Sequence, residues 1–345
     1  MRIGVTGGAG FIGGHVVETA ISHGHDVTVF DRTGKMVPPT SNLILAGRAE
    51  IMLGDVRDEV SMAELAAHCD GIIHLAACLG TQETIQNPRP AADTNVTGGL
   101  NFLEACAQYK IPGVYIGVGN HWMNNSYSIT KTTVERFVHM FNKERGTNVN
   151  IVRLVNAYGP RQSVAPPFGP AKVRKITPAF VCRALTGQNI EIYGDGLQVS
   201  DMVHVRDGAR ALVTALEYAA EGQVFSSPIE VGPVVSATVN DVALAVIDAA
   251  SALGYKPVDL THLPMRPGEV AGAKVTADTS TLELIGIDPG TLVPLEQGIM
   301  ETVKWYRDNW LPTYGAGHDT ATGEGDLLHE CTDECTPGNC WKKDF

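Results

Sequence analysis

Long apolar runs are missing from the chain: no stretch of about 18 uncharged apolar residues occurs, the length a membrane-spanning helix needs. Positive charge is also scarce. Lys and Arg number 26 against 38 Asp and Glu, a formal net charge of −12, which argues against a broad nucleic-acid surface, since phosphate binding needs clustered cations. The seven cysteines form an odd set without Cys-x-x-Cys spacing, and Cys69, Cys78, Cys106 and Cys182 sit in apolar stretches that suit buried thiols. A disulfide framework is therefore not expected. Met1 to Thr6 run straight into a glycine-rich turn, leaving no room for the apolar segment of a secretory leader, so the expected location is the cytoplasm. What remains is a soluble globular composition, 44% apolar and 19% charged over 345 residues, large enough for one main domain with a smaller satellite.

Short Val- and Ile-rich runs alternate with helix-length segments in the first half. Ile3–Thr6, Asp26–Phe30, Glu50–Leu53, Gly71–Leu75, Val114–Val118 and Asn150–Leu154 read as buried strands. Phe11–Ser22, Ser61–His68, Thr94–Tyr109 and Tyr127–Arg145 read as the helices between them. The expectation is an α/β fold, a doubly wound parallel (Rossmann) sheet over residues 1–157. Residues 158–311 change to Pro- and Gly-rich connections broken by helices such as Ile176–Leu185, Val205–Glu217 and Val239–Leu253. They read mainly as a smaller α+β substrate domain, with some segments returning to the sheet and the Gly159–Pro170 insertion suited to a loop over a pocket. Residues 312–345 read as a polar tail. Within it His329, Cys331, Cys335 and Cys340 are admissible tetrahedral zinc ligands, but their spacing equally suits a tail that carries thiols, and no metal is assigned. Met62, Met123, Met140, Phe137, Phe141 and Trp305 read as packing residues, while Trp122 and Met123 stand within reach of a substrate ring.

Gly7-Gly8-Ala9-Gly10-Phe11-Ile12-Gly13 follows the first strand and opens the first helix. Glycines at 7, 10 and 13 let the chain turn tightly and bring backbone N–H groups and a helix N-terminus against a pyrophosphate. Asp31 closes the second strand, where a carboxylate accepts from adenosine ribose hydroxyls and repels a 2′-phosphate, favouring NAD over NADP; Arg32 beside it works the other way. Further on, Tyr127-Ser128-Ile129-Thr130-Lys131 puts a phenol and an ammonium on one helix face. A nearby cation lowers a phenol pKa, which makes Tyr127 a proton-transfer group.

With these residues in view the chain resembles the extended short-chain dehydrogenase/reductase family, in particular its NAD-dependent nucleotide-sugar epimerases and dehydratases. The resemblance runs from residue 1 to about 310, through Gly54-Asp55-Val56-Arg57-Asp58, His74-Leu75-Ala76-Ala77, Asn95-Val96-Thr97-Gly98, Tyr127-x-x-x-Lys131, Arg153-Leu154-Val155-Asn156-Ala157-Tyr158-Gly159-Pro160, Gly194-Asp195-Gly196-x-Gln198 and Arg266-Pro267-Gly268-Glu269. It implies that Asp55 and Val56 flank the adenine, that Leu75, Ala76, Ala77 and Asn95 line the cofactor with Phe11 and Ile12 of the glycine turn, and that Tyr127 is the acid/base with Lys131 on the nicotinamide ribose. It implies also that Asn156, Tyr193 and Arg266 meet the nucleotide sugar, and that a homodimer pairs through Asn101–Tyr109 and Tyr127–Phe141.

Two departures from the family pattern matter. The fifth strand ends Gly117-Val118-Gly119-Asn120-His121, where the family carries a Ser/Thr that hydrogen-bonds the reacting hydroxyl. Asn120 or His121 can stand in, since an amide or imidazole also polarises a hydroxyl, or both are loop residues with Ser126 and Ser128 merely nearby. Neither is an acid, whereas the family's 4,6-dehydratases carry an Asp-Glu pair there and its decarboxylases a Glu. Plain oxidation and return of hydride is therefore the favoured chemistry, with epimerisation through a transient 4-keto sugar ahead of net 4-dehydrogenation, 4,6-dehydration or a non-catalytic NAD-binding sensor. The second departure is Ser200, where the family commonly has an Arg on the nucleotide diphosphate. Arg161, Lys172, Arg174 and Lys175 are the replacement cations, unless Lys172 to Lys175 form a solvated loop face.

Overall fold

The structure, a computed structural model, describes residues 1–34, 40–81, 83–164, 168, 173, 175–266 and 269–314. Seven strands form one parallel sheet: β1 (Arg2–Thr6), β2 (Asp26–Asp31), β3 (Ala49–Leu53), β4 (Gly71–His74), β5 (Gly113–Val118), β6 (Val149–Leu154) and, returning late in the chain, β7 (Ile229–Val231). Their order is β7-β6-β5-β4-β1-β2-β3, every neighbouring pair parallel. The order reverses between β1 and β4, and ligands of such sheets sit in the crevice beyond the carboxyl ends at that reversal.

Helices cover both faces. On one side α1 (Phe11–Ser22) packs against α6 (Val205–Ala220), over a core that includes Ile3, Val5, Val16, Val17, Leu212 and Leu216. On the other, α2 (Glu59–His68), α3 (Gly98–Tyr109) and α4 (Ser126–Arg145) enclose Met62, Leu65, Phe102, Tyr115, Val134 and Val138. Strands buried on both faces have no polar face to show, which is why they are continuous apolar runs. The exception is β3. It read as buried, yet it is the sheet's edge and leaves Ile51 and Leu53 exposed, since only one neighbour and one face cover it. Met140, read as a packing residue, is likewise exposed on α4.

A third apolar cluster, separate from the sheet's two faces, joins α5 (Ile176–Leu185), α7 (Val239–Ala252) and α8 (Leu295–Trp305) through Phe180, Val181, Val242, Val246, Ile299 and Val303. Capping fixes where the key helices begin. Asn125 accepts from the Ser128 N–H at 2.9 Å to start α4, and Gly146, at φ +65°, ends it; a cap of this kind is worth about 1 kcal/mol. Thr238 and Asp241 form a reciprocal capping box on α7. No helix among the described residues is long and apolar enough to cross a membrane.

Candidate active site

The glycine turn is built by close approach. At Gly7, φ +70°, a Cβ would stand 3.0 Å from the Ala76 N and 3.1 Å from its Cα, so only glycine lets the end of β1 lie against the chain leaving β4. A Cβ on Gly13 would collide with the Gly7 carbonyl. Gly10 begins α1 with no side-chain cap and no acid in the first turn, which leaves the N–H groups and the positive end of the helix, beside Phe11 and Ile12, for an anion. At the end of β2 the Asp31 carboxylate accepts from the Ala9 N–H at 3.2 Å and the Thr33 N–H at 3.2 Å, which fixes it beside the turn. These features fit a dinucleotide, with Asp31 where ribose hydroxyls are recognised.

Arg32 is exposed and close enough to Asp55 to favour its charge. Asp55 is held below the usual carboxylate range by its hydrogen bonds from Arg57, Nη2 to Oδ2 at 2.6 Å and Nε to Oδ1 at 3.0 Å. Val56 is buried and its carbonyl accepts from Asn101 Nδ2 at 2.9 Å. An open cleft of about 550 Å³ lies here, lined by Asp55, Arg57, Asp58, Asp93 and Thr97. Its lining includes neither Tyr127 nor Lys131.

Thr6 and His74 set the floor of the crevice. Thr6 Oγ1 accepts from the N–H groups of Leu75 (3.1 Å) and Ala76 (3.2 Å), which leaves its proton for His74 Nδ1 at 3.0 Å. Burial, with the charge of Lys131 adding, drives the His74 pKa down to about 3, so the ring stays neutral between Phe102 and Tyr115. Ala77 follows, half-buried, and then Cys78, which is half-buried too and not enclosed like Cys69, Cys106 and Cys182, because it lies on the loop facing the site. Asn95 has a structural part of its own. It sits in a π-helical turn, Ala92–Thr97, with its Oδ1 accepting from the Cys78 N–H (2.7 Å) and its Nδ2 donating to the Cys78 carbonyl (3.2 Å) and Thr130 Oγ1 (2.9 Å). Both amide hydrogens are engaged, so Asn95 clamps the crevice loop to α4.

Tyr127 and Lys131 lie one turn apart on α4. Burial pushes the Tyr127 phenol up to about 12, with Cys78 adding to the rise. Lys131 is 1% exposed, its Nζ 4.1 Å from the Tyr115 ring centroid; burial pulls its pKa down to about 7, and the Glu135 carboxylate resists the fall. A phenol pKa lowered by Lys131 is thus not what the protein alone shows. Desolvation sets the direction, and Tyr127 rests as a neutral phenol.

The missing hydroxyl has a steric cause. A Cβ on Gly119 would stand 2.6 Å from Val155 Cγ1 and 3.0 Å from its Cα, so any side chain there meets the neighbouring backbone. The loop after it is held locally: Asn120 Nδ2 donates to Met123 Sδ at 3.5 Å, and the His121 carbonyl accepts from Thr132 Oγ1 at 3.2 Å. Within this short stretch His121 Nδ1, Asn125 Nδ2 and Ser128 Oγ are buried without a hydrogen-bond partner among the described residues, so polar groups near Tyr127 in the chain are left unspent. Trp122 is exposed at the rim.

On the substrate side, Asn156 is exposed and donates to Ser200 Oγ (2.8 Å) and to the Asp201 carbonyl (3.0 Å). Arg266 stacks on Tyr193, 4.6 Å from the ring centroid, and pairs with Glu269, yet its Nε is buried without a partner among the described residues. Lys175, at the start of α5, has its pKa lowered chiefly by burial; Glu83 opposes the fall and Arg266 adds to it, so these three charges converge. Arg161 is elsewhere. Its side chain, 6% exposed, binds Glu18 at 2.6 Å and His15 Nδ1 at 2.9 Å on α1, which removes it from the substrate set. Lys172 and Arg174 lie outside the described residues, as do His329, Cys331, Cys335 and Cys340.

Sequence reasoning passed over Thr6, His74, Glu83 and Glu135. Glu135 had a readable signal, since it continues the Tyr127–Lys131 stripe by one more turn of α4. The other three are set by contacts between segments far apart in the chain.

Comparison with known proteins agrees with this geometry. The model of the NAD-dependent epimerase/dehydratase family matches residues 3–227. A UDP-N-acetyl-alpha-D-glucosaminuronate decarboxylase of Bacillus cytotoxicus is 28% identical over 330 residues, 88% of this chain and 97% of its own. Among solved structures, a UDP-glucose 4-epimerase of Thermotoga maritima with UDP-glucose has a TM-score of 0.76 at 29% identity, covering 89% of this chain and 99% of that one. A Thermus thermophilus UDP-glucose 4-epimerase in complex with NAD has a TM-score of 0.74 at 28% identity, covering 90% and 100%.

Proposed function

Because the chain belongs to the NAD-dependent epimerase/dehydratase family, we propose that it is a nucleotide-sugar epimerase that inverts C4 through a transient 4-keto sugar. NAD is its cofactor and nucleotide sugars are its substrate class. The observation that carries the choice among family chemistries is the loop beside Tyr127: Gly119, Asn120 and His121 include no carboxyl group to remove protons from C5 or to protonate C6. A dehydratase or decarboxylase needs such a group, and an epimerase does not.

The N–H groups of the Gly7–Gly13 turn would hold the pyrophosphate, Asp31 the adenosine ribose and Lys131 the other ribose. When bound, NAD supplies a reversible hydride acceptor for the sugar carbon. Tyr127, a neutral phenol in the protein alone, would first give up its proton; its Oη, held as phenolate by the Lys131 ammonium, would then take the proton of the C4 hydroxyl and later return it to the same oxygen on the inverted carbon. Lys175 and Arg266 neutralise the diphosphate, taking the part of the arginine that Ser200 replaces, and Tyr193 and Asn156 border the same space. Anchoring at the diphosphate leaves the sugar ring free to turn over between the two halves of the reaction. Residues 158–311 act as the main substrate-holding part, and the site of action is the cytoplasm, where a half-exposed thiol such as Cys78 stays reduced. Two copies pair through α3 and α4, whose Tyr109, Ile129 and Met140 are exposed; a light-scattering mass of two chains is expected, and of one chain would contradict the pairing.

Incubation with a panel of UDP-, GDP-, CDP-, ADP- and dTDP-sugars tests the function. The expected result is a C4-inverted sugar without added oxidant. Accumulating NADH, or a 4-keto-6-deoxy product, would move the protein to another chemistry of the family.

A further inference from the structure

Lys131 is buried in a place where its charge has to be held by the protein. β4 presents the neutral His74 to it, β5 the Tyr115 ring, and its own helix Tyr127 on one side and Glu135 on the other. Among these neighbours only Glu135 is an anion. Its side chain is 4% exposed and is gripped by Arg153 on β6, Nη2 to Oε2 at 2.6 Å and Nε to Oε1 at 3.1 Å, while Arg153 Nη1 reaches Glu230 on β7 at 3.0 Å. Glu230 is in turn tied by the Asp278 N–H at 2.9 Å. The strand makes room for this chain of charges: a Cβ on Gly117 would collide with the Glu135 carboxylate. Two carboxylates therefore face one guanidinium and one ammonium, and the row is neutral only when Lys131 is protonated. A buried row of this kind disfavours an odd charge strongly, because little water is present to screen it.

We propose that Glu135, clamped by Arg153 and Glu230, is the positioning residue that supplies the counter-charge of Lys131 and keeps it a cation beside Tyr127. The link to catalysis rests on the epimerase reading, in which Tyr127 and Lys131 are the reacting pair. The titration of Lys131 itself does not. Glu135 touches neither substrate nor cofactor in this account; it acts through Lys131 alone. Losing it removes the one carboxylate that opposes desolvation of the ammonium, and the proton should then leave Lys131 at lower pH, taking with it the partner that the Tyr127 phenolate needs.

The test is a pH titration of the lysine ε-carbons by NMR in the full-length protein with its NAD, between about pH 5 and pH 11, which brackets the ordinary lysine value. The Lys131 signal is identified by its loss in Lys131→Arg. In Glu135→Gln the midpoint should fall by about one unit, a tenfold loss of proton affinity, and the alkaline limb of kcat should move down with it while KM stays near its original value. Glu135→Asp, which keeps the charge, should retain most of the native midpoint. Glu230→Gln should shift it in the same direction by less, and decides the matter if Glu135→Gln does not fold. An unchanged midpoint in Glu135→Gln, or in Glu230→Gln when that variant has to decide, overturns the proposal, as does an Asp variant that shifts as far as the Gln variant. Failure of the protein to invert any sugar would end the epimerase reading and leave the titration to be judged separately.

Discussion

Replacing Tyr127 by Phe keeps the ring that fills the site and removes the oxygen that moves the proton. Turnover should fall about 10²–10⁴-fold, the usual worth of a general acid/base, with NAD binding by calorimetry nearly unchanged; an active Tyr127→Phe protein would take the tyrosine out of the mechanism. Gly119 makes a converse case. Restoring the family hydroxyl with Gly119→Ser should not raise activity, because the new Cβ meets Val155, and overpacking of this kind costs about 1–3 kcal/mol in thermal or denaturant unfolding. A stable, faster Gly119→Ser variant would show that the space is open. The residues assigned through local spacing, the three glycines, Asp31, Tyr127 and Lys131, are legible in the sequence because their proposed roles follow from a turn, a strand end or a helix period. Arg161 misleads for the opposite reason: what claims its charge is Glu18, on a helix early in the chain, and no local pattern announces a pairing at that separation. Asn95 was legible as a polar residue at the right place, but its partners, Cys78 and Thr130, become visible only when the crevice loop and α4 are brought together.

Whole elements were easier to read than single contacts. Buried parallel strands are unbroken apolar runs, so β1, β2, β4, β5 and β6 stand out, whereas the edge position of β3 depends on strand order, which composition does not carry. The π-helical turn before α3 was absorbed into one long helix, since its signature is a hydrogen-bond pattern rather than a residue type. The packing of α1 against α6 has its own consequence for pH. His15 on α1 and His204 at the start of α6 are both lowered to about 4, first by burial; Arg161 and Arg206 respectively add to the effect, and Glu18 and Glu301 oppose it. Each folded value lies below the unfolded value of about 6.5, so the neutral rings contribute stability in full above that pH, and the contribution drains away as pH falls toward 4. The melting temperature should therefore decline between about pH 6.5 and pH 4, and His15→Gln should decline less steeply over the same window. Parallel curves for the two proteins would rule His15 out as a source of the acid sensitivity.

Across the whole molecule, the sheet offers a crevice at the reversal between β1 and β4, and a separate apolar cluster joins α5, α7 and α8. Tyr127 and Lys131 stand on α4, the helix that borders the crevice, with Lys175 and Arg266 contributed from later in the chain. Such a division suits a reaction in which one end of the substrate stays anchored while the other turns over. The most direct measurement follows a nucleotide sugar carrying deuterium at C4, converted by the protein in ordinary water without added oxidant, with the product read by NMR and mass spectrometry. Inversion at C4 with the deuterium still on C4 is the expected outcome, since the carbon gives up and regains the same hydrogen while Tyr127 handles only the proton on oxygen. Deuterium found at C6, deuterium lost to solvent, or a ketone released with NADH would contradict the account.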